Sequence, residues 1–151
     1  MDSLAVKIRR TQSAEDRDWN VLRVELWPHI DPAGCDLADW LQSRRCYLGF
    51  IAESADGMAI AFAEASIRTD YVNGCDSSPA AFLEGLYVRP PFRRQGVARQ
   101  LLDEVMRWAR EQGCSELASD VRPDNTDSLR THAALGFVET ERVVFLRKIL
   151  R

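Results

Sequence analysis

The chain has 151 residues, of which 46% are hydrophobic and 28% charged, with 23 acidic against 20 basic side chains and a net charge of −3. A chain of this length buries roughly 70% of the surface that its unfolded form exposes, so one core needs no staples. The balance lacks the basic excess of a nucleic-acid binder. No apolar run approaches the roughly 18 residues that span a bilayer, and the N-terminal Met1–Lys7 stretch lacks the basic-then-apolar order of a signal peptide. The expectation is a single cytoplasmic domain over residues 1–151, with no nucleic-acid or membrane partner. Cys35, Cys46, Cys75 and Cys114 form no CxxC pair, and His29 and His132 complete no ligand pattern, so reduced thiols and no metal are expected.

Val6–Arg10 alternates as a half-exposed strand does. Ser13, followed by Glu15 and Asp16, reads as a helix N-cap region. Trp19, Leu22 and Leu26 then share one helical face, and Pro28 ends it. A short helix over Asp36–Arg44 would turn Leu37, Trp40 and Leu41 inward. Tyr47–Glu53 and Ala59–Arg68 read as strands around an Asp56-Gly57 hairpin signal. Val72–Pro79 is turn-rich and reads as a loop. Phe82–Val88 reads as a buried strand ended by Pro90-Pro91. Gly96–Gln112 is an amphipathic helix with Gly113 suited to its C′ position. Leu117–Val121 is a further strand, Asp127–Leu135 a helix capped by Gly136, and Phe137–Ile149 a closing strand. The pattern is mixed α/β: antiparallel in its first half, with a strand–helix–strand unit later.

Arg93-Arg94-Gln95-Gly96-Val97-Ala98 falls between the buried strand and the long helix. A helix start presents unpaired backbone N–H groups and the positive end of the helix dipole. A glycine admits close approach of a ligand, Ala98 keeps the next turn open, and Arg93, Arg94 and Arg99 add charge. These features suit a pyrophosphate, although a plain basic helix start has the same composition. The segment has neither the lysine of a GxxxxGK[ST] loop nor a GxGxxG pattern, so nucleotide hydrolysis and a Rossmann cofactor fit poorly.

Leu86-Tyr87-Val88, the Arg89-Pro90-Pro91-Phe92 spacer and Arg93–Ala98 together resemble the acetyl-CoA motif of the GNAT superfamily, R/Q-x-x-G-x-G/A, with alanine for the last glycine. Asn125 and Leu135-Gly136-Phe137 resemble later parts of that pattern. Within the superfamily the chain is similar to aminoglycoside 6′-N-acetyltransferases. Leu26-Trp27, Glu64–Arg68, Asp70–Gly74, Ser78-Pro79, Phe82–Gly85, Ala118–Asp120 and Glu139–Glu141 carry that likeness. The resemblance implies a GNAT fold, a mostly antiparallel sheet flanked by about four helices. It implies acetyl-CoA as co-substrate, held by Leu86, Tyr87, Val88, Arg93, Arg94, Gln95, Gly96, Val97, Ala98 and Asn125. It also implies an aminoglycoside acceptor contacting Trp27, Tyr71, Glu84, Asp120 and Glu141, and a cytoplasmic homodimer that confers resistance.

The residues bear on this chemistry independently. Glu84 shares parity with Phe82, Leu86 and Val88 on an apolar strand. A carboxylate there needs a partner, either an arginine such as Arg68 or a substrate ammonium. Asp120 follows a strand at its carboxyl end, where open sheets often place sites, although a turn residue would look the same. Trp27 suits either a sugar face or the core. Direct attack of an amine on a thioester requires a proton acceptor, for which Asp120 stands first and Glu84 second. It also requires a donor to the carbonyl oxygen, the Val88 amide by resemblance. His132 occupies the position where GNAT enzymes often carry a tyrosine acid; local hydrogen bonding is the alternative. No Cys-His arrangement supports a covalent route. The acidic set leaves polyamines or protein amines as other acceptors, and a non-catalytic acyl-CoA-binding regulator as the alternative of a different class.

Overall fold

Asp56-Gly57 closes a hairpin between β2 (Tyr47–Glu53) and β3 (Ala59–Arg68), with Gly57 at φ 84°, and both strands have the limits expected from sequence. In the computed structural model, which describes residues 2–30 and 46–151, β1 (Lys7–Arg10) and β4 (Ala80–Val88) flank this hairpin, and β5 (Leu117–Ala118) completes the sheet beyond β4. The order is β1-β2-β3-β4-β5, antiparallel throughout except for the parallel β4–β5 pair. The helix expected over Asp36–Arg44 lies outside the described residues, among which there are three α-helices: α1 (Arg17–Leu26), α2 (Val97–Glu111) and α3 (Thr126–Ala134). Contacts group the chain into two units, one ending at Asp120 and the other spanning Val121–Arg151.

Within the first unit each face of the sheet has its own cover. Trp19 and Leu22 of α1 pack with Tyr47, Ile51 and Phe62. On the other face the Trp108 ring of α2 meets Phe50 edge-on at 6.4 Å, and Ala109 packs with Ala81. Burial on both faces explains why β2 and β3 read as nearly continuous apolar runs. Helix α2 buries Val97, Leu101, Leu102, Val105, Trp108 and Ala109 along one stripe. It ends in a Schellman motif: the amides of Gly113 (φ 83°) and Cys114 donate to the carbonyls of Arg110 and Ala109.

Within the expected cap region, the N-cap of α1 is Asp16. Its Oδ1 accepts from the Trp19 amide at 3.2 Å while Arg9 donates to Oδ2 at 2.6 Å. A carboxylate satisfies both the helix start and the guanidinium, which a hydroxyl does not. Burial raises the Asp16 pKa, but Arg9 and the Trp19 amide outweigh it and hold the carboxyl below its ordinary value. A depressed carboxyl stabilises the fold above its unfolded pKa and loses that contribution as pH falls through the folded one. Asp16→Ala therefore costs about 1–2 kcal/mol at neutral pH. In urea denaturation the gap between the two proteins closes as the pH drops below the carboxylate range.

Two expectations are corrected. The strand expected over Leu117–Val121 shortens to Leu117–Ala118, because only Ala81 and Phe82 of β4 pair with it. Phe137–Ile149 forms no strand. Its apolar residues beyond Phe137 are open to solvent, with Phe145 87% and Leu146 90% exposed, and an apolar segment becomes a strand only with a neighbour to pair with.

Candidate acetyl-transfer site

The register of β3 against β4 determines how the site is built. Glu64 pairs with Gly85 and Ala65 with Leu83, so Glu84 is an extra residue in β4, a β-bulge. Beyond a bulge the alternation of side chains changes phase. Glu84 thus keeps the face of Phe82 but shares it with Gly85 and Tyr87 rather than with Leu86 and Val88. This overturns the simple parity expected from sequence. Tyr87 packs toward Phe62 and the α1 core on that face.

Glu84 is half-buried. Its Oε1 accepts from Ser66 Oγ at 2.6 Å and from the Arg68 guanidinium at 2.8 Å, and Arg68 stacks over the Phe82 ring at 3.5 Å. The arginine partner considered from sequence is therefore present. Trp27, the C-cap of α1, crosses β4 beside the bulge: a Cβ added to Gly85 would lie 2.4 Å from Trp27 Cη2. Trp27 meets Phe62 edge-on, and Arg23 lies 5.4 Å over its ring. Tyr71 is 73% exposed on the β3–β4 loop. That loop is tied down by Ser78 Oγ donating to the Thr69 carbonyl and by the Asp76 and Ser77 amides donating to Glu116.

Sequence reasoning did not assign a role to the buried group beneath Trp27. Glu64 is 0% exposed; its Oε2 accepts from Trp19 Nε1 at 2.8 Å and from Arg23 Nε at 2.9 Å. Burial pushes the Glu64 carboxyl above its ordinary value against the pull of these partners. A glutamate inside the run Ala61-Phe62-Ala63-Glu64-Ala65 was the available signal. Glu25 was also missed. It accepts from Arg89 at 2.8 Å; Arg89 holds it below the usual carboxylate range, while burial and Glu25 push the Tyr87 phenol up.

At the end of β4 the Arg89 amide donates to the Ile60 carbonyl at 2.9 Å. By the alternation of an antiparallel ladder, the amide and carbonyl of Val88 point to the opposite edge, where β5 no longer pairs. The Val88 carbonyl takes Arg93 Nε at 2.7 Å, which leaves the Val88 amide directed along the gap between β4 and the chain following β5. Leu86 is half-buried beside it, and Asp120 is exposed two residues past β5.

Arg93–Gly96 then turns into α2. Arg94 and Gly96 both adopt left-handed backbone, at φ 61° and 77°, and no side chain caps the helix. Its first internal bond runs from the Gln100 amide to the Gly96 carbonyl, so the amides of the first turn, including those of Val97 and Ala98, face outward. An uncapped helix start beside Arg93 and Arg94 fits a pyrophosphate. Gly96 also serves the fold. An added Cβ would meet Ser3 Oγ at 2.5 Å, so the glycine admits the N-terminal segment, which bonds the Gln95 carbonyl through the Leu4 amide and meets Gln100. Gly96→Ala costs about 1–2 kcal/mol for the left-handed backbone alone. Adding Ser3→Gly recovers only the steric part, as read in chemical denaturation.

In the second unit Asn125 Oδ1 accepts from the Ser128 amide at 3.2 Å and caps α3. This helix also ends in a Schellman motif, with Gly136 at φ 92° and the Phe137 amide on the His132 carbonyl, and the His132 and Phe137 rings lie 5.1 Å apart. His132 Nδ1 is 2.8 Å from the Ser128 carbonyl. A carbonyl only accepts, so Nδ1 carries a proton, and Nε2 donates only from the imidazolium. Glu141 is exposed, and its neighbour Glu139 pairs with Arg142 at 2.6 Å.

Residues 10–137, which contain β2–β5, the bulge and the uncapped helix, match the acetyltransferase (GNAT) family. The chain belongs to this family. The acetyltransferase is 52% identical over 142 residues to an aminoglycoside N(6′)-acetyltransferase type 1 of Salmonella enteritidis, covering 93% of this chain and 97% of that one. It is 53% identical over 134 residues to the Serratia marcescens enzyme of the same name, covering 87% and 91%. Among solved structures it resembles AAC(6′)-Iy in complex with the bisubstrate analogue CoA-S-monomethyl-acetylneamine, with TM-score 0.88, 50% identity, and 97% and 99% of the two chains covered. A second AAC(6′)-Iy structure, in complex with CoA, matches with TM-score 0.86 and 51% identity over 95% of each chain.

Proposed function

We propose that this acetyltransferase moves the acetyl group of acetyl-CoA to the 6′-amine of an aminoglycoside, in a ternary complex and in the cytoplasm where acetyl-CoA is made, and so confers resistance. The carrying observation is the face formed at the β4 bulge. It offers an indole, a carboxylate and a phenol beside an amide that points into the gap past β5. Aromatic surface suits the C–H face of a sugar, and carboxylates suit its ammonium groups. The relatives' names state the same acceptor class.

Acetyl-CoA, when bound, supplies a thioester activated toward an amine. Val97, Ala98 and the neighbouring loop amides, with Arg93 and Arg94, hold its pyrophosphate. Leu86, Tyr87 and Gln95 line its path, and Asn125 bonds the pantetheine arm. The Val88 amide donates to the carbonyl oxygen where charge develops. Trp27, Tyr71, Glu84, Asp120 and Glu141 contact the acceptor. An ammonium has no lone pair, so Asp120 takes its proton directly or through water, with Glu84 second. His132, as imidazolium, donates a proton toward the departing thiolate.

Thiol release from acetyl-CoA with kanamycin, tobramycin, spermine and a lysine peptide tests this reading. Turnover of an aminoglycoside is expected. Turnover of spermine or the peptide alone favours the other acceptors, and CoA binding with no turnover favours a regulator. The whole chain acts as one functional domain and pairs with a second copy. The support for pairing is the apolar Val143–Leu146 run, open on both sides in one chain. A dimer in size-exclusion chromatography with light scattering is expected, and Phe145→Asp with Leu146→Lys shifts it toward monomer. A monomeric parent protein sinks the pairing.

A further inference from the structure

Gly85 has no conformational need to be glycine, because it is absent from the residues with left-handed backbone. Its need is space. An added Cβ would lie 2.4 Å from Trp27 Cη2, 2.9 Å from Trp27 Cζ2 and 3.4 Å from Glu64 Cγ. The indole therefore crosses β4 where the strand has no side chain, one residue from Glu84. The bulge places positions 84 and 85 on one face, so carboxylate and indole stand side by side rather than on opposite faces of the sheet. Below them Arg23 lies between two rings, 5.7 Å from Trp19 and 5.4 Å from Trp27, and its Nε is held by the buried Glu64 carboxylate, directly across from Gly85 in the ladder.

We propose that Gly85 is a specificity-determining residue for the acceptor: it is the gap that seats the Trp27 indole beside Glu84, and the buried Arg23–Glu64 pair is the positioning element that keeps the ring there. The inference rests on the reading that Trp27 and Glu84 face the acceptor. A methyl at position 85 lifts the indole off the strand into the space that a sugar ring would take. The donors to the pyrophosphate and to the thioester carbonyl are untouched, because those amides lie at the end of β4 and in the Arg93–Ala98 loop.

Steady-state kinetics with kanamycin and acetyl-CoA test this on the parent chain, Gly85→Ala, Trp27→Phe and the double variant, with thermal melts alongside. Gly85→Ala raises the kanamycin KM about tenfold or more, with the acetyl-CoA KM unchanged within about twofold. Phenylalanine lacks the atoms that meet the methyl, so Gly85→Ala has little further effect in the Trp27→Phe background. If Gly85→Ala alone does not fold, Trp27→Phe restores folding and the double variant has the kanamycin KM of Trp27→Phe. Four outcomes overturn the proposal: an unmoved kanamycin KM in Gly85→Ala, equal rises in both KM values, the same effect of Gly85→Ala in both backgrounds, or a double variant that does not fold. Failure of the parent chain to acetylate any aminoglycoside sinks the proposed function instead, whereas normal parent turnover with an unmoved KM sinks only this inference.

Discussion

Asp120→Asn lowers kcat by about 10²- to 10⁴-fold, the range for removal of a positioned proton acceptor, and leaves the CoA dissociation constant within about twofold of the parent. Asparagine keeps the shape of the side chain and an acceptor oxygen but cannot hold the proton that an attacking ammonium must lose. The position supports this assignment over Glu84. Asp120 is exposed at the carboxyl end of β5, past the last pair of the β4–β5 ladder. Glu84 Oε1 already accepts from Ser66 and Arg68. Glu84→Gln accordingly raises the acceptor KM more than it lowers kcat. Stopped-flow or thiol-release kinetics at saturating acceptor, paired with calorimetric CoA titration, separate the two. An Asp120→Asn enzyme that retains more than about a third of parental kcat places the proton elsewhere.

The regular parts of the fold were legible because their signals are local. Asp56-Gly57 fixes the hairpin, and Gly96 and Gly113, both at positive φ, bracket α2 at the expected residues. The loop proposed to hold the pyrophosphate stands out in the sequence for the same reason, since charge and glycine lie within six residues. What stayed hidden depends on partners distant in sequence. The bulge at Glu84 appears only once β3 is aligned with β4, and it reverses the faces of Leu86, Tyr87 and Val88 relative to Glu84. The contact of Gly96 with Ser3 and that of Gly85 with Trp27 are of this kind. Which residue of the Ser13–Asp16 region caps the helix also depends on a distant partner: Arg9, on a neighbouring strand, selects the carboxylate of Asp16. The C-terminal run reads as strand from composition, yet composition cannot supply the neighbour that a strand requires.

Arg23→Leu lowers stability by about 3–5 kcal/mol, because it leaves a fully buried carboxylate without its cation. At roughly 2–4 °C per kcal/mol for a chain of this size, the Tm falls by about 10 °C. The pH dependence identifies the cause. Burial already raises the Glu64 carboxyl in the folded state, so the native protein binds that proton more tightly than the unfolded chain does. Stability from this group is therefore fully present below the unfolded pKa and declines as pH rises toward the folded one. Without Arg23 the folded value rises further, and the variant loses stability more steeply between acid and neutral pH than the parent does. A loss caused only by missing packing around the guanidinium has no such slope. Adding Glu64→Gln removes the stranded charge while an amide oxygen still accepts from Trp19 Nε1, so Arg23→Leu with Glu64→Gln recovers all but about 1–2 kcal/mol. Thermal melts across pH on both variants decide the matter, and a double variant no more stable than Arg23→Leu shows that the guanidinium matters for its bulk rather than its charge. The double variant also carries a functional expectation. It folds, yet Trp27 has lost the cation beneath its ring, so the acceptor KM rises even where stability has returned.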